Sequence, residues 1–425
     1  MRVNTDGHRK VLVIAYYFPP MGLSGVQRTL KFVKYLPRYN WHPTVLTVDP
    51  VGYFAYDETL LSEITSPGIT VVRTEPAGPG GLFRKDVVSL PSERVRKLLS
   101  RVSDTVFIPD NKIGWRNKAL ERAVQLHAKE EFDILFATAP PFTDFLVGID
   151  VAKIVGKPLV IDYRDPWVDY PFKFYPTPVH KWRTIALERK VLRNTRHVIT
   201  TNRRVKETLI ARHGFLTHHD ISIISQGFDP EDFSTKPPRR TDKKMRITYA
   251  GIFWEDRVPD YFLQALHDLL QRRPELRNRI EARFIGNFRE ENKRIVERLQ
   301  LGDVVSVVDY LPHKKSVLEL LASDVLWMII GDDLGTPGKL YEYIGAGKAI
   351  LGCAPEGFLA QSIIEAGGRV VAPKDVAGIT RALEALYEAF RKGKLPGPAP
   401  EIVGKYDRIQ LTGSLVRIFE AQLVR

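Results

Sequence analysis

Apolar residues fall into short continuous runs that alternate with segments of helical periodicity. The first run, residues 11–16, ends in turn residues, which is typical of a strand buried on both faces of a parallel sheet. Leu30, Val33 and Leu36 then recur at helical spacing, and residues 44–47 follow as the next strand. This β-loop-α-β order predicts a parallel sheet with helices on its faces.

The pattern continues and then restarts after a charged, proline-containing linker that ends near Lys244. Strands are expected at 134–138, 159–162, 197–201 and 221–224 before the linker, and at 246–251, 281–285, 304–308, 325–330, 349–351 and 369–371 after it. Two such arrays predict an α/β protein with two Rossmann-like, doubly wound domains facing a cleft, because ligands of such sheets bind at the carboxyl ends of the strands. The expected domains are 1–228 and 229–405, followed by a helix within 406–425.

One stretch does not fit this alternation. Residues 84–122 are basic and irregular and are not assigned to the sheet. Because long excursions near strand ends are more often functional than part of a core, this stretch is a candidate functional segment.

Composition adds limits on the class of protein. The 425 residues suit two domains, and 44% hydrophobic with 27% charged residues is the balance of a globular protein. Cys353 stands alone, so an intramolecular disulfide is excluded. No apolar run is long enough to cross a bilayer, and we expect a cytoplasmic protein. The net charge of +13 favours polyanionic partners, but no zinc-finger or RNP-type motif indicates nucleic acid.

Gly22 and Gly25 lie directly after the first strand. Backbone amides of such a loop, beside the start of a helix, can approach a phosphate or a sugar hydroxyl. The spacing is not the G-x-G-x-x-G fingerprint, so a dinucleotide site is not indicated. An ordinary strand-to-helix turn explains the spacing equally well.

A second candidate cluster is the segment Asp-Tyr-Arg-Asp-Pro-Trp at 162–167, which follows the end of a predicted strand. A carboxylate, a guanidinium and an indole at such a place could hold a polyhydroxylated ligand. Alternatively, Asp165 pairs with Arg164 or caps the next helix, and Trp167 simply packs in the core.

The most informative segment is 336–348, Thr-Pro-Gly-Lys-Leu-Tyr-Glu-Tyr-Ile-Gly-Ala-Gly-Lys. Pro337 and Gly338 suit a helix start, where free amides can bind a diphosphate. Lys339 and Glu342 lie one turn apart on one face, so that a lysine facing phosphate and a glutamate facing ribose hydroxyls are possible. A plain surface ion pair is the alternative.

This segment resembles the donor-binding signature of family-four retaining glycosyltransferases of the GT-B fold. Three other segments resemble motifs of the same family: 16–28 is similar to the acceptor-side glycine loop, 225–229 to the hinge motif, and 249–251 to the strand that opens the donor domain. The resemblance covers nearly the whole chain. It implies that the C-terminal helix returns to the N-terminal domain.

The resemblance also implies roles for individual residues. The donor-binding residues would be Glu342, Gly338, Leu340, Gly251 and Gly25. Arg257 and Lys339 would be catalytic, stabilising the leaving diphosphate. Gly22, Asp165 and Arg164 would lie on the acceptor or sugar side. No cofactor and no metal are expected, because two cations and a helix end can replace a metal beside the diphosphate.

The sequence departs from the family pattern at four places, one of them Gln226 in the hinge motif, where the family usually has asparagine. Leu334 stands where the family often has a second acid, Ile252 where it has an arginine, and residues 136–142 lack the histidine often found there. These departures keep two alternatives open beside a glycosyltransferase: a non-catalytic binding protein of GT-B type, and a nucleotide-sugar epimerase of the same fold.

The basic stretch 181–213 bears on the partner. Ten lysines and arginines stand there against two glutamates, with apolar residues between them. Such segments can lie on an anionic membrane, although a solvated helix face is the more ordinary explanation. The expected partners are therefore a nucleotide sugar, a glycan or lipid-linked acceptor and an anionic membrane surface at the inner face of the cell membrane.

Overall fold

The structure, a computed structural model, describes residues 8–22, 24–50, 56–76, 93–170, 173–237, 239–253, 257–331 and 337–424. The chain divides into two compact units. The first unit is Met1–Ser225 together with Arg408–Arg425, and the second is Gln226–Asp407.

The first unit is built on a seven-stranded parallel sheet of order β3-β2-β1-β4-β5-β6-β7. Its strands are β1 Arg9–Ile14, β2 Trp41–Val48, β3 Thr70–Thr74, β4 Ile134–Ala139, β5 Leu159–Tyr163, β6 His197–Thr200 and β7 Ile221–Ile223. Its helices before the linker are α1 Ser24–Tyr35, α2 Glu93–Val106, α3 Arg116–Glu130, α4 Thr143–Val155, α5 Pro178–Arg193 and α6 Arg203–Arg212. Three 3-10 helices also lie here: Leu36–Tyr39, Glu58–Ile64 and Ile113–Trp115.

The second unit has a six-stranded parallel sheet of order β10-β9-β8-β11-β12-β13. Its strands are β8 Met245–Ala250, β9 Ile280–Ile285, β10 Val305–Val308, β11 Val325–Ile329, β12 Ala349–Cys353 and β13 Arg369–Val371. Its helices are α7 Asp260–Arg272, α8 Glu290–Arg298, α9 His313–Leu321, α10 Gly338–Gly345, α11 Phe358–Glu365, α12 Val376–Arg391 and α13 Pro400–Lys405, with a 3-10 helix at Pro274–Asn278.

The final helix, α14 Arg408–Leu423, packs into the first unit. The ring of Phe419 lies 5.2 Å from Trp41 and 5.5 Å from Phe136, centroid to centroid. Leu415 and Phe419 are fully buried in the core on this face of the first sheet. Leu411, Leu415 and Phe419, which recur at helical spacing, thus form a buried face of α14.

Both sheets have the doubly wound α/β architecture expected from the sequence. The apolar runs are buried because a parallel sheet is covered by helices on both faces. In each sheet the strand order reverses once, between β1 and β4 in the first unit and between β8 and β11 in the second. Ligands of open α/β sheets bind at the carboxyl ends of the strands beside such a reversal, so these two edges are where functional residues are expected.

The stretch 84–122, which the sequence pattern left unassigned, contains helix α2, the 3-10 helix Ile113–Trp115 and the start of α3. Residues 84–92 of that stretch lie outside the described residues. No helix among the described residues is both long enough and apolar enough to cross a membrane.

Candidate functional site

Helix α10 brings together Lys339 and Glu342 in the second unit. Lys339 Nζ lies 3.4 Å from Glu342 Oε2, and the two side chains are 33% and 14% exposed. Leu340, Tyr341 and Tyr343 of the same helix are buried. The distance is long for a charge-assisted hydrogen bond, which is commonly about 2.8 Å, so both groups can still engage a ligand.

Tyr343 fixes α10 to the reversal of the second sheet. Its hydroxyl accepts the N–H of Ala250, at the end of β8, at 3.2 Å and donates to the carbonyl of Trp327 on β11, also at 3.2 Å. Burial raises the pKa of Tyr343, so the hydroxyl keeps the proton that it donates. One side chain thus joins the helix that carries Lys339 and Glu342 to both strands at the crevice. Tyr343 was not among the site residues predicted from the sequence.

We expect Tyr343→Phe to destabilise the second unit by about 1–3 kcal/mol, because it leaves a buried N–H and a buried carbonyl without their partner. Thermal unfolding measures the loss, and nucleotide binding should weaken with it as α10 loosens. Tyr387→Phe is the matched control, since Tyr387 is also buried in this unit but its hydroxyl has no hydrogen-bond partner among the described residues. Equal stability of the two variants would contradict the bridging role of Tyr343.

At two glycines near the carboxyl edge of the second sheet, neighbouring atoms leave no room for a side chain. A Cβ on Gly345, in the last turn of α10, would meet the ring of Phe228 at 2.5 Å. A Cβ on Gly286 would meet the carbonyl oxygen of Gly251 at 2.4 Å, and Gly286 has a φ of +116°. Packing therefore requires glycine at positions 345 and 286, and Phe228 of the hinge motif packs against the last turn of α10.

Arg257 lies in the loop between β8 and α7. Burial raises the pKa of Tyr249 on β8, and the positive charge of Arg257 opposes that rise. The ring of Tyr249 stacks on Phe253 with centroids 4.3 Å apart. Arg257, Gly251 and the start of α10 thus all lie at the carboxyl ends of β8 and β11.

The remaining donor-side candidates lie in α10 itself. Gly338 is its first residue, and Pro337 precedes it in an extended conformation. Leu340 is fully buried, and its N–H donates to the carbonyl of Pro337 at 3.2 Å. Leu340 is therefore packed into the core beneath the helix start, and a donor contact from it stays a prediction. Thr336 and the position of the absent second acid, Leu334, lie outside the described residues.

In the first unit, Arg164 follows β5 directly and is 7% exposed. Its Nε donates to the carbonyl of Ala139 at 3.1 Å, and its two terminal nitrogens donate to the carbonyls of Gly25 and Pro140. These bonds join the ends of β4 and β5 to the start of α1. Arg164 therefore holds the glycine loop in place from beneath. A contact between Arg164 and a sugar stays a prediction.

The neighbours of Arg164 differ in their surroundings. Asp165 is half-buried, and Trp167 is buried and stacks on Phe142 with centroids 4.6 Å apart. Gly22 is buried, whereas Gly25 is exposed at the start of α1. Trp167 therefore packs in the core, as the alternative explanation predicted. Asp165 and Gly22 remain acceptor-side candidates, and Gly25 remains a donor-side candidate.

A buried ion pair lies under the same edge. Arg28 on α1 is bidentate to Asp162 on β5, with Nε 2.9 Å from Oδ2 and Nη2 2.8 Å from Oδ1. Nη1 also donates to the carbonyl of Ser225 at 2.7 Å, and Nη2 to that of Ile224 at 3.0 Å. Both side chains are 1% exposed. Asp162 thus holds α1 in place instead of facing a ligand.

Asp144, which was not predicted from the sequence, lies beside the point where the strand order of the first sheet reverses. Asp144, in the first turn of α4, is fully buried, and its Oδ2 accepts the N–H of Tyr16 at 2.9 Å. Burial raises the pKa of Asp144 well above its ordinary range, although this hydrogen bond opposes the rise. Asp110 accepts the N–H of Thr143 at 3.0 Å and its hydroxyl at 2.7 Å. The segment after α2, which carries Asp110, is therefore hydrogen-bonded to the carboxyl edge of the first sheet.

Within the described ranges, no group of three or more histidine, cysteine, aspartate or glutamate side chains could hold a metal ion. The expectation of a metal-independent reaction stays a prediction.

Solved structures show the same architecture. The chain is similar to HepE of Anabaena, solved with UDP and glucose, at 14% identity and a TM-score of 0.66 over 97% of this chain and 100% of that one. It is similar to sucrose-phosphate synthase of Thermosynechococcus elongatus at 15% identity and a TM-score of 0.66 over 98% and 100% of the two chains. A glycosyltransferase of Rickettsia africae is similar at 13% identity and a TM-score of 0.64 over 98% and 99%. At these identities the likeness shows the fold.

This likeness shows that the chain has the GT-B fold, with its two parallel, doubly wound sheets. Residues 24–232 match the family model described as Glycosyltransferase Family 4. This match, which covers just under half of the chain, and the shared fold bear out the family-four resemblance of the motifs. No curated protein matches the chain.

Proposed function

We propose that the protein transfers a sugar from a nucleoside-diphosphate sugar to a glycan or lipid-linked glycan acceptor, with retention of anomeric configuration, in the synthesis of a bacterial cell-surface polysaccharide. The observation that carries the donor half is the arrangement of α10, whose start and whose Lys339–Glu342 face lie at the reversal of the second sheet. A helix N-terminus beside a cation suits a diphosphate. HepE, which shares the fold, was solved with UDP-glucose, so this is the first donor to test.

The donor residues have distinct proposed roles. Lys339 and Arg257 face the two phosphates, where negative charge grows as the bond to the sugar breaks. Glu342 accepts hydrogen bonds from the ribose hydroxyls, and the amides at Gly338 and the turn at Gly251 approach the nucleotide. With two cations and a helix end at the diphosphate, we propose that no metal ion and no cofactor are needed.

Retention is proposed from the family resemblance. In the front-face mechanism of that family, the oxygen of the leaving phosphate takes the proton of the attacking acceptor hydroxyl as the bond from the anomeric carbon to the phosphate breaks. The new bond forms on the same face of the sugar. This route needs no protein nucleophile, so catalysis depends on positioning and on electrostatic stabilisation of the leaving group.

The acceptor side is proposed for the first unit. Gly22 and Asp165 lie at the carboxyl edge of its sheet, with Arg164 bracing the glycine loop beneath them. A lipid-linked acceptor would require the protein to visit a membrane. We therefore propose peripheral association with the anionic inner face of the cell membrane, favoured by the net charge of +13.

The test is an incubation with radiolabelled nucleotide sugars, starting with UDP-glucose, in the presence and absence of a membrane extract. Release of nucleoside diphosphate with labelled lipid or glycan supports the proposal, and NMR of the product reports the anomeric configuration. An isomerised sugar nucleotide would instead show an epimerase. Binding without any turnover of a donor would show a non-catalytic binding protein.

Glu342→Ala should weaken binding of the nucleotide sugar by roughly 1.5–3 kcal/mol, the scale of a hydrogen bond to a charged group. Calorimetry measures the affinity. Glu290→Ala is the matched control, because Glu290 forms an i,i+3 pair with Lys293 at 3.3 Å on the surface of α8 in the same unit. If the two variants bind the donor equally well, Glu342 is only an ion-pair partner of Lys339.

A further inference from the structure

Helix α2 exposes its apolar face. Val95, Leu98, Leu99, Val102 and Val106 recur at helical spacing, and each is between 47% and 64% exposed. A surface helix of a globular protein normally turns such a stripe toward the core. An apolar stripe that faces outward instead indicates a surface that contacts something else.

The polar side of α2 is the side that attaches it to the protein. Asp104 accepts a hydrogen bond from Lys173 Nζ at 2.6 Å and from the N–H of Phe174 at 3.3 Å. Both ionic side chains are largely buried, 17% exposed for Lys173 and 15% for Asp104. The contacts that hold the helix therefore direct its apolar stripe outward.

Exposed apolar residues also lie at the start of α5, which contacts the end of α2. His180 Nε2 lies 3.2 Å from the carbonyl oxygen of Thr105, which brings the first turn of α5 against the end of α2. Val179 is 56% exposed and Trp182 68%. We call the joined surface the α2–α5 face, which consists of Val95, Leu98, Leu99, Val102, Val106, Phe174, Val179 and Trp182.

Basic residues border this face. The guanidinium of Arg101 lies over the ring of Phe174 at 5.3 Å, and Lys181 and Arg183 are exposed beside Trp182. An apolar strip with an exposed tryptophan and a basic border matches the interface of an anionic bilayer, where the rings reach the acyl boundary and the cations meet the headgroups. By contrast, basic residues of α6 are engaged within the protein: Lys206 Nζ donates to the carbonyls of His218 and Ile221 at 2.9 and 2.6 Å.

We propose that the α2–α5 face inserts into the surface of an anionic membrane. This deepens, and rests on, the peripheral association proposed above, since it names the surface that docks. The loop between β5 and α5, which carries Asp165, leads directly into Phe174 and Val179, so docking would hold the acceptor-side loop at the lipid surface. Because apolar residues insert, binding should persist in high salt, which releases purely electrostatic association.

The experiment is co-sedimentation of the full chain with vesicles of phosphatidylglycerol and phosphatidylcholine, compared with vesicles of phosphatidylcholine alone. The variant Leu98→Gln, Leu99→Gln, Val102→Gln should bind anionic vesicles at least about tenfold more weakly, because each change removes apolar area from the interface. Its melting temperature should stay unchanged, since these side chains are exposed. Arg203→Glu with Arg204→Glu on α6 is the control and should lose less binding.

A second readout follows Trp182. On binding, its emission should shift to the blue and be quenched by brominated lipid, and Trp182→Phe should remove this change. The proposal is overturned if the wild-type chain ignores anionic vesicles at low salt, or if the triple variant sediments like the wild type. It is also overturned if the wild-type chain is a dimer that the triple variant converts to a monomer, because the face would then join two copies. Vesicle binding without sugar transfer would overturn the proposed function alone.

Discussion

Lys339→Met should lower the turnover of the nucleotide sugar by about 10²–10³-fold, the cost of removing one charge that stabilises the leaving group. Lys339 is one-third exposed and lies beside the start of α10, so its loss should leave the fold intact. The effect should fall on kcat more than on donor affinity, because the negative charge on the diphosphate increases as the bond to the sugar breaks. The rate of nucleoside diphosphate release at saturating donor measures it.

The matched control for this prediction is Lys293→Met. Lys293 and Glu290 form an i,i+3 pair at 3.3 Å on α8, nearly the same spacing as the 3.4 Å between Lys339 and Glu342. That pair is 52% and 65% exposed and lies on a surface helix, so its loss should change turnover by less than twofold. If Lys339→Met is as active as Lys293→Met, the lysine of α10 serves only in a surface ion pair.

Most sheet strands were predictable because they are apolar runs, but β3 Thr70–Thr74, whose residues are half-buried or exposed, was missed. The strand expected at 246–251 is β8 Met245–Ala250, and that expected at 325–330 is β11 Val325–Ile329. Burial on both faces makes such runs continuous, and glycine or proline ends them. Local pattern therefore sufficed for the strands that are buried on both faces.

Helix α2 was missed for a physical reason. Its apolar residues have helical spacing, but the segment is rich in basic residues and is attached through Asp104 instead of its apolar stripe. Helical spacing of apolar residues is normally interpreted as a face that packs into the core, and the apolar face of α2 does not pack there. The same property makes it the most informative surface of the first unit.

The site was predictable only in part, because motif residues are local while the contacts that hold them are not. Lys339 and Glu342 share one helical turn, so their proximity follows from spacing. Tyr343 meets Ala250 across 93 positions, and Arg28 meets Asp162 across 134. Nothing in the neighbouring sequence of Asp162 shows that its partner lies on α1, and its interpretation as part of a ligand cluster gave way to a buried ion pair.

Arg28→Met should lower the free energy of unfolding by about 3–5 kcal/mol, the loss expected when one partner of a buried ion pair is removed. Asp162 would be left charged in a site where both side chains are 1% exposed. Thr138 Oγ1 would remain as a donor to the carboxylate at 3.1 Å, but a neutral hydroxyl does not balance its charge. Urea unfolding followed by circular dichroism measures the loss.

Two further variants separate burial from charge pairing. Arg203→Met removes an arginine whose Nε lies 2.6 Å from Glu207, but that pair is 78% and 45% exposed, so stability should change by less than about 0.5 kcal/mol. Arg28→Met combined with Asp162→Leu should be more stable than Arg28→Met alone, because no unpaired charge stays buried. If the double variant is instead the less stable of the two, the hydrogen bonds of Asp162, and not its uncompensated charge, account for the stability of this part of the first unit.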